Sequence, residues 1–245
     1  MRGVQISTTG GPDVLTYLTD LPLPTPKPGE VLIKNSIIGI NYIDTYFRTG
    51  LYPSPKPEIL GREAAGTVVS DAEGFKAGEK VVWLGTGGYA EYTAAPAAKT
   101  LRIPEGVSER DACAAILQGL TALTLVEEAH RVERGEWVLV LAATGGVGGW
   151  LLQILNAKGA HTIASVGSEG KVEEAKRLGA EVVVVEKEGE VERVVEERTG
   201  GEGVRAVFDG VGRATFGRSL AVVGRKGSVV SFGNASGAVE PFSIA

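Results

Sequence analysis

The 245-residue sequence holds a single cysteine, Cys113, and only two histidines, His130 and His161. One cysteine excludes an intramolecular disulfide and any cysteine-rich zinc site, and it suits a reducing compartment, so a cytoplasmic location is expected. The histidines are isolated from one another, and packing is the simpler account of Cys113 in its Ala-rich surroundings. No run of about 18 apolar residues occurs, so no membrane span is expected. The opening MRGVQISTTGGPD has no apolar core of the kind a secretory signal needs. Basic residues are outnumbered, 25 Lys and Arg against 30 Asp and Glu, and the formal net charge of −5 gives nucleic-acid binding no support. What is present is ordinary for a globular chain: 43% hydrophobic and 22% charged residues, in a length that can bury one large core or two moderate ones.

The first hundred residues read as a mainly β domain. Short apolar runs at 4–6, 14–18, 31–40, 66–69, 80–84, 89–94 and 101–103 alternate with Gly and Pro. Residues 21–29 are too Pro-rich for a helix or a central strand. Helical character begins at Ser108, a capping residue followed by Glu109 and Asp111 at the positive end of the dipole. Gly119 suggests a break before a second helix over 120–129. The domain junction falls in this region, and the division is drawn as 1–117 and 118–245.

Residues 136–153, EWVLVLAATGGVGGWLLQ, organise the second domain. A continuous apolar run reads as a central parallel strand, and a turn of small residues leads into a helix. In 143–148, ATGGVG, a Cβ at Gly145 would obstruct a pyrophosphate, and Gly148 suits close packing of helix on strand. The N–H groups of the helix start, with its dipole, favour an anion. Strand candidates at 137–143, 161–166, 182–185, 204–208 and 227–232 alternate with helix candidates at 147–158, 169–178, 188–199 and 213–222. This is the pattern of right-handed βαβ units in a parallel sheet. A full dinucleotide fold has six strands, and five are visible here.

The second strand ends at Ser165-Val166-Gly167-Ser168 without a carboxylate for the ribose hydroxyls of NAD. Lys171 can face a 2′-phosphate as a point charge, which favours NADP; a plain surface lysine is the simpler alternative. Residues 39–52 gather Asn41, Tyr42, Asp44, Tyr46, Arg48 and Tyr52 behind an apolar strand. Aromatics with polar tips can stack on a flat ligand. From these residues alone, a loop packing its aromatics on its own domain is the simpler account.

Six stretches together carry a specific resemblance: GINYIDTYFRTGLYP (39–53), LGREAAGTVV (60–69), LQGLTALTL (117–125), AATGGVG (142–148), and VFDGVG with VSFGNASG (207–212 and 230–237). The chain resembles the zeta-crystallin-like quinone oxidoreductases of the medium-chain dehydrogenase/reductase superfamily. That resemblance implies a GroES-like mainly β catalytic domain, then a Rossmann doubly wound parallel sheet, α/β overall, with NADPH as cofactor and a quinone as substrate. It assigns Asn41 and Tyr46 to the nicotinamide and substrate pocket, with Tyr52 close by. It assigns Thr144, Gly145, Gly146, Val147 and Gly148 to the pyrophosphate turn, and Ser168 and Lys171 to the 2′-phosphate. Asp209 and Val211 are expected to shape the pocket, and Phe232, Gly233 and Asn234 to contact the nicotinamide side.

Zinc alcohol dehydrogenases of the superfamily carry Cys at the position of Asn41 and His at that of Arg62, so no metal is expected. Quinone reduction needs no metal-polarised alcohol oxygen. It needs proximity and orientation, and no strong general acid is expected. Several positions depart from the family pattern. Thr144 puts a stiff β-branch near the phosphate; Leu141 and His130 replace commoner residues; Glu186 brings negative charge to the adenosine end. The family pattern also continues past residue 245, so the sequence is expected to lack the sixth strand and the return segment of the catalytic domain. The family's homodimer is correspondingly in question. Two further readings stay open: a non-catalytic, crystallin-like NADPH-binding protein, and an enoyl reductase of the same superfamily.

Overall fold

The computed structural model describes residues 1–243 and divides into two compact units, Met1–Leu117 and Gln118–Ala245. The first unit holds strands β1 (Gly3–Ile6), β2 (Thr16–Leu18), β3 (Glu30–Ile38), β4 (Glu58–Ile59), β5 (Glu63–Val68), β6 (Lys80–Leu84), β7 (Tyr92–Pro96) and β8 (Thr100–Arg102), with helix α1 (Tyr42–Thr49) after β3. They form a three-stranded sheet, β2-β1-β4, and a five-stranded antiparallel sheet, β7-β3-β5-β6-β8. The period of two sorts the residues of the larger sheet. Val31, Ile33, Ala64, Val68, Val81 and Trp83 enter one core, and Ala65 and Val82 face the other way.

That other face is covered by helix α2 (Glu109–Thr124), through Ala112, Cys113 and Ile116. Ser108 starts α2 as expected, its Oγ accepting the Asp111 N–H at 3.0 Å. The break expected at Gly119 is absent, because α2 runs through it to Thr124. A mid-helix glycine weakens a helix by only about 1 kcal/mol relative to alanine, and the flanking Ala and Leu residues are strong helix formers. The irregularity comes later, as a π turn at Leu125–Ala129, where the His130 N–H reaches back to the Leu125 carbonyl. The run Glu109–Ala129 is long and apolar enough to cross a membrane by length and composition alone. Part of it serves protein cores: Ala122, Leu125 and Val126 belong to the second unit's interior, while Leu120 and Leu123 are exposed.

The second unit alternates β9 (Trp137–Val140), α3 (Gly146–Lys158), β10 (His161–Val166), α4 (Val172–Arg177), β11 (Val182–Val185), α5 (Glu190–Thr199), β12 (Val204–Asp209), α6 (Phe216–Val222) and β13 (Val223–Ser231). The strands make one parallel sheet ordered β11-β10-β9-β12-β13, which is five of the six positions of a dinucleotide-binding sheet. Its central strand is buried on both faces. Val138 and Val140 enter one core, and Leu139 and Leu141 the other. The strand expected over 137–143 stops at Val140, because Ala142 turns left-handed at φ 48°.

Candidate functional site

In the first unit the stretch 39–53 is built around a helix. Asn41 is the N-cap of α1 and forms a capping box with Asp44: the Asn41 side chain accepts the Asp44 N–H, and Asp44 Oδ2 accepts the Asn41 N–H at 3.0 Å. Gly50 ends the helix in a left-handed conformation, its N–H on the Tyr46 carbonyl. The helix carries Tyr42 and Tyr46, whose rings meet edge-on at 5.6 Å; Tyr46 meets Tyr52 at 5.1 Å. Tyr46 is buried while Tyr42 is exposed. The structure thus brings Tyr46 and Tyr52 into contact and places Asn41 at the start of the helix that carries Tyr46, a helix where a loop was the simpler reading.

Beneath this array lies a polar core. Glu63, 2% exposed, accepts from Asn41 Nδ2 at 2.7 Å and from the Leu117 N–H at 2.9 Å. Burial drives the Glu63 carboxyl upward from the usual range and the Asp44 charge adds to this, against the pull of those two donors. The Tyr89 hydroxyl donates to Asp44 Oδ2 at 2.6 Å, and its pKa is raised by burial and by that contact. Burial, with the Glu63 charge, pushes the Cys113 thiol up to about 11.

Arg62 stacks its guanidinium 3.5 Å from the centre of the Phe47 ring and pairs with Glu58 at 2.6 Å. Glu58 also accepts from Lys56 and Ser54. At the position where zinc relatives have histidine, this chain has a cation with no lone pair to offer a metal. Among the described residues, no three His, Cys, Asp or Glu side chains gather as a metal site.

In the second unit β9 leads into the glycine turn. The Ala142 carbonyl accepts the Gly145 N–H at 2.8 Å, and Gly145 is the N-cap of α3. Gly148 is pressed against the turn: a Cβ there would lie 2.5 Å from the Ala142 oxygen and 2.8 Å from Ala143 backbone atoms. A Cβ on Gly146 would strike the Gln118 side chain, whereas one on Gly145 would meet only the Ala142 oxygen at 3.1 Å. Gly145 and Gly146 are exposed, Val147 and Thr144 half-buried, and the first turn of α3 carries no acidic residue. This is an accessible, anion-favouring helix start.

Ser168 and Lys171 lie beyond the end of β10, at the N-cap and the last residue of a short 3₁₀ turn, and both are exposed. Glu186 follows β11 beside them, its N–H on the Val166 carbonyl. Its charge is compensated: Oε1 accepts from Arg218 at 2.9 Å and from Ser165 Oγ at 3.0 Å. His130 is likewise engaged, with Ser228 at 3.1 Å and Glu136 at 3.3 Å, and His161 pairs with Glu181 and stacks on Trp137.

The two stretches 207–212 and 230–237 form one structure. The N–H groups of Phe232 and Ser236 reach the carbonyls of Asp209 and Val211, and the Arg213 N–H reaches that of Gly237. Glycines permit this approach: a Cβ on Gly233 would lie 2.6 Å from the Gly210 oxygen, and one on Gly212 2.7 Å from that of Gly237. Val211, Phe232, Gly233 and Asn234 sit in this pair of loops. The Asp209 side chain does not face outward with them. It is fully buried, accepting from the N–H groups of Val211 and Gly212 and the hydroxyls of Thr215 and Ser219. Its carboxylate sets the loop.

Sequence reasoning passed over Gln118 beside Gly146, the Arg62–Phe47 stack, Tyr89 on Asp44 and Arg218 on Glu186. Only the Asn41-x-x-Asp44 spacing ahead of Gly50 gave a local signal, that of a capped helix.

Comparisons with known proteins agree with this architecture. Residues 27–105 match the family model described as the alcohol dehydrogenase GroES-like domain, and residues 146–245 that described as zinc-binding dehydrogenase. Within 146–245 the sequence has one histidine, His161, and no cysteine. A probable quinone oxidoreductase of Schizosaccharomyces pombe is 44% identical, over 98% of this chain and 74% of that protein. Quinone oxidoreductase 1 of Escherichia coli is 40% identical, over 98% of this chain and 75% of that protein. The crystal structure of Escherichia coli quinone oxidoreductase complexed with NADPH matches with a TM-score of 0.95 and 39% identity, over 100% of this chain and 76% of that one.

Proposed function

Because the chain belongs to the quinone oxidoreductase family of the medium-chain dehydrogenases and reductases, we propose that it is a zinc-independent NADPH:quinone oxidoreductase. The observation that carries this reading is the β9–turn–α3 unit. Only glycine fits at 148, and the exposed backbone at 145 and 146 leads into a helix start without acidic residues. That cradle suits a dinucleotide pyrophosphate. Gly145, Gly146, Val147 and Gly148 would hold it, with Thr144 at its edge. Ser168 and Lys171 would take the 2′-phosphate, Lys171 as a point charge.

NADPH supplies the reducing equivalents when bound. The chain's own residues orient and shield. Tyr46 and Tyr52 present ring edges and faces for a flat acceptor, and Asn41 or a tyrosine hydroxyl donates toward the acceptor oxygen as charge develops there. Phe232, Gly233 and Asn234 contribute from the loop that Asp209 and Val211 help to frame. Water supplies the proton to the reduced quinone, so no side chain is assigned as a strong general acid. A homodimer and a cytoplasmic location belong to the same proposal, the first from the family resemblance and the second from cysteine usage.

The test is fluorescence titration with NADPH and NADH, followed by turnover with 1,4-benzoquinone and with an enoyl thioester. NADPH-preferring binding with quinone turnover supports the reading. Tight binding without turnover on either acceptor leaves a non-catalytic binding protein, and faster thioester reduction makes the chain an enoyl reductase.

A further inference from the structure

We propose that Glu63 is a positioning residue for this site: as a two-oxygen acceptor it fixes the orientation of the Asn41 amide and, through it, the start of α1. The inference rests on the reading that α1 and Asn41 line the acceptor pocket.

The argument begins with donors. The Leu117 N–H on Glu63 Oε2 is a backbone group and can only donate. The Asn41 amide is fixed from its other end, because its oxygen side accepts the Asp44 N–H in the capping box. Its nitrogen must then face Glu63, at 2.7 Å. Two donors therefore converge on one buried carboxyl group, and only a carboxylate answers both with oxygens. A glutamine at 63 would turn an NH2 toward one of them. Space is reserved for this charge by Gly39, whose Cβ would fall 2.1 Å from Glu63 Oε1. The ionisable groups around Glu63 are Asp44 on α1, Tyr89 on the segment before β7, and Cys113 on α2. None is a cation paired to it, so Glu63 depends on its two hydrogen-bond donors.

The consequence runs along the chain. The Asn41 amide caps α1, and α1 holds Tyr46 in contact with Tyr52. Losing an acceptor oxygen at 63 frees the amide to rotate and loosens the cap, which displaces the aromatic array. NADPH contacts in the second unit are untouched by this.

Glu63→Gln is expected to lower kcat/KM for 1,4-benzoquinone about tenfold, the size of one buried donor left unmatched. The NADPH dissociation constant stays within about twofold. Asn41→Ala lowers kcat/KM by itself, and the Asn41→Ala/Glu63→Gln double variant falls no further. The decisive variant exchanges the two chemistries. In Asn41→Asp/Glu63→Gln, a glutamine nitrogen donates to an aspartate that still caps the helix, and the glutamine oxygen still accepts the Leu117 N–H. This pair recovers the melting temperature lost in Glu63→Gln. Where Glu63→Gln alone does not fold, the exchanged pair still must; its failure to fold or to recover overturns the proposal. A Glu63→Gln enzyme with wild-type quinone kinetics overturns it as well, provided Asn41→Ala is impaired. If Asn41→Ala is itself unimpaired, the underlying reading of the pocket falls, and the positioning role with it.

Discussion

Arg218 and Glu186 form an ion pair at 2.9 Å just past the ends of β10 and β11, with Ser165 Oγ on the same carboxylate oxygen. Arg218 is largely buried and also lies 3.4 Å from Glu192. A carboxylate beside a proposed 2′-phosphate site is unfavourable if bare, and here it is not bare. Arg218→Gln is therefore expected to weaken NADPH binding severalfold, by about 1 kcal/mol, and to leave NADH binding little changed. Glu186→Gln is expected to strengthen NADPH binding. Titration of both variants with both nucleotides decides this, and equal effects on NADPH and NADH would separate the pair from phosphate recognition.

Gly145 and Gly148 are predicted to fail in different ways when changed to alanine. At Gly148 the new Cβ has backbone at 2.5 and 2.8 Å and nowhere to go. Helix α3 must lift from β9, at a cost of about 1–3 kcal/mol, and the melting temperature falls with or without NADPH. At Gly145, where φ is −71° and ψ 173°, alanine is conformationally acceptable. The expected result is near-normal stability of the free protein with loss of the shift that NADPH produces. Thermal melts with and without NADPH distinguish the two, and equal behaviour would contradict this division of labour.

Tyr46→Phe keeps the ring contacts with Tyr42 and Tyr52 and removes only the hydroxyl. Quinone turnover is expected to fall by no more than about tenfold, the range of one hydrogen bond, with NADPH binding unchanged. Complete loss of turnover with intact binding would make Tyr46 an essential acid and would reverse the view that water delivers the proton.

Glu58 offers a pH-dependent test of the Arg62 cluster. Burial raises its pKa, but hydrogen bonds from Ser54 and Lys56 and the charge of Arg62 outweigh this, so the carboxyl is held below its ordinary 4.5. A lowered carboxylate pKa contributes stability that is complete above the unfolded value and is lost as pH falls through the folded one. The stability difference between wild type and Glu58→Gln, from urea unfolding, should be full at neutral pH and shrink as the pH drops below about 4.5. A constant difference across that window would mean that the ionised form of Glu58 adds nothing.

The sequence displayed its parallel half well, because the physics there is local. Val138 to Leu141 alternate between two cores and so read as an unbroken apolar run, and small residues follow where backbone meets backbone. The helix over 42–49 was harder to see, since Tyr, Ile, Thr and Phe are weak helix formers and its support is the cap at Asn41 and the stop at Gly50. Gly119 misled for the opposite reason, because tertiary packing along α2 overrode a local weakness. Partners such as Arg218 for Glu186 or Arg62 for Phe47 depend on elements that meet only in the folded chain. A list of charges and rings along the sequence cannot pair them.

The joined loops at 209–215 and 231–237 carry a dynamic consequence. Main-chain hydrogen bonds tie Phe232 to Asp209, Ser236 to Val211 and Arg213 to Gly237, while buried Asp209 anchors the first loop from beneath. Neither loop can open alone without stranding the polar groups of the other. In amide hydrogen exchange the two should therefore behave as one cooperative unit, sharing a single opening free energy. A change made in either loop would be felt in the other, some twenty residues away along the chain and one hydrogen bond away in space.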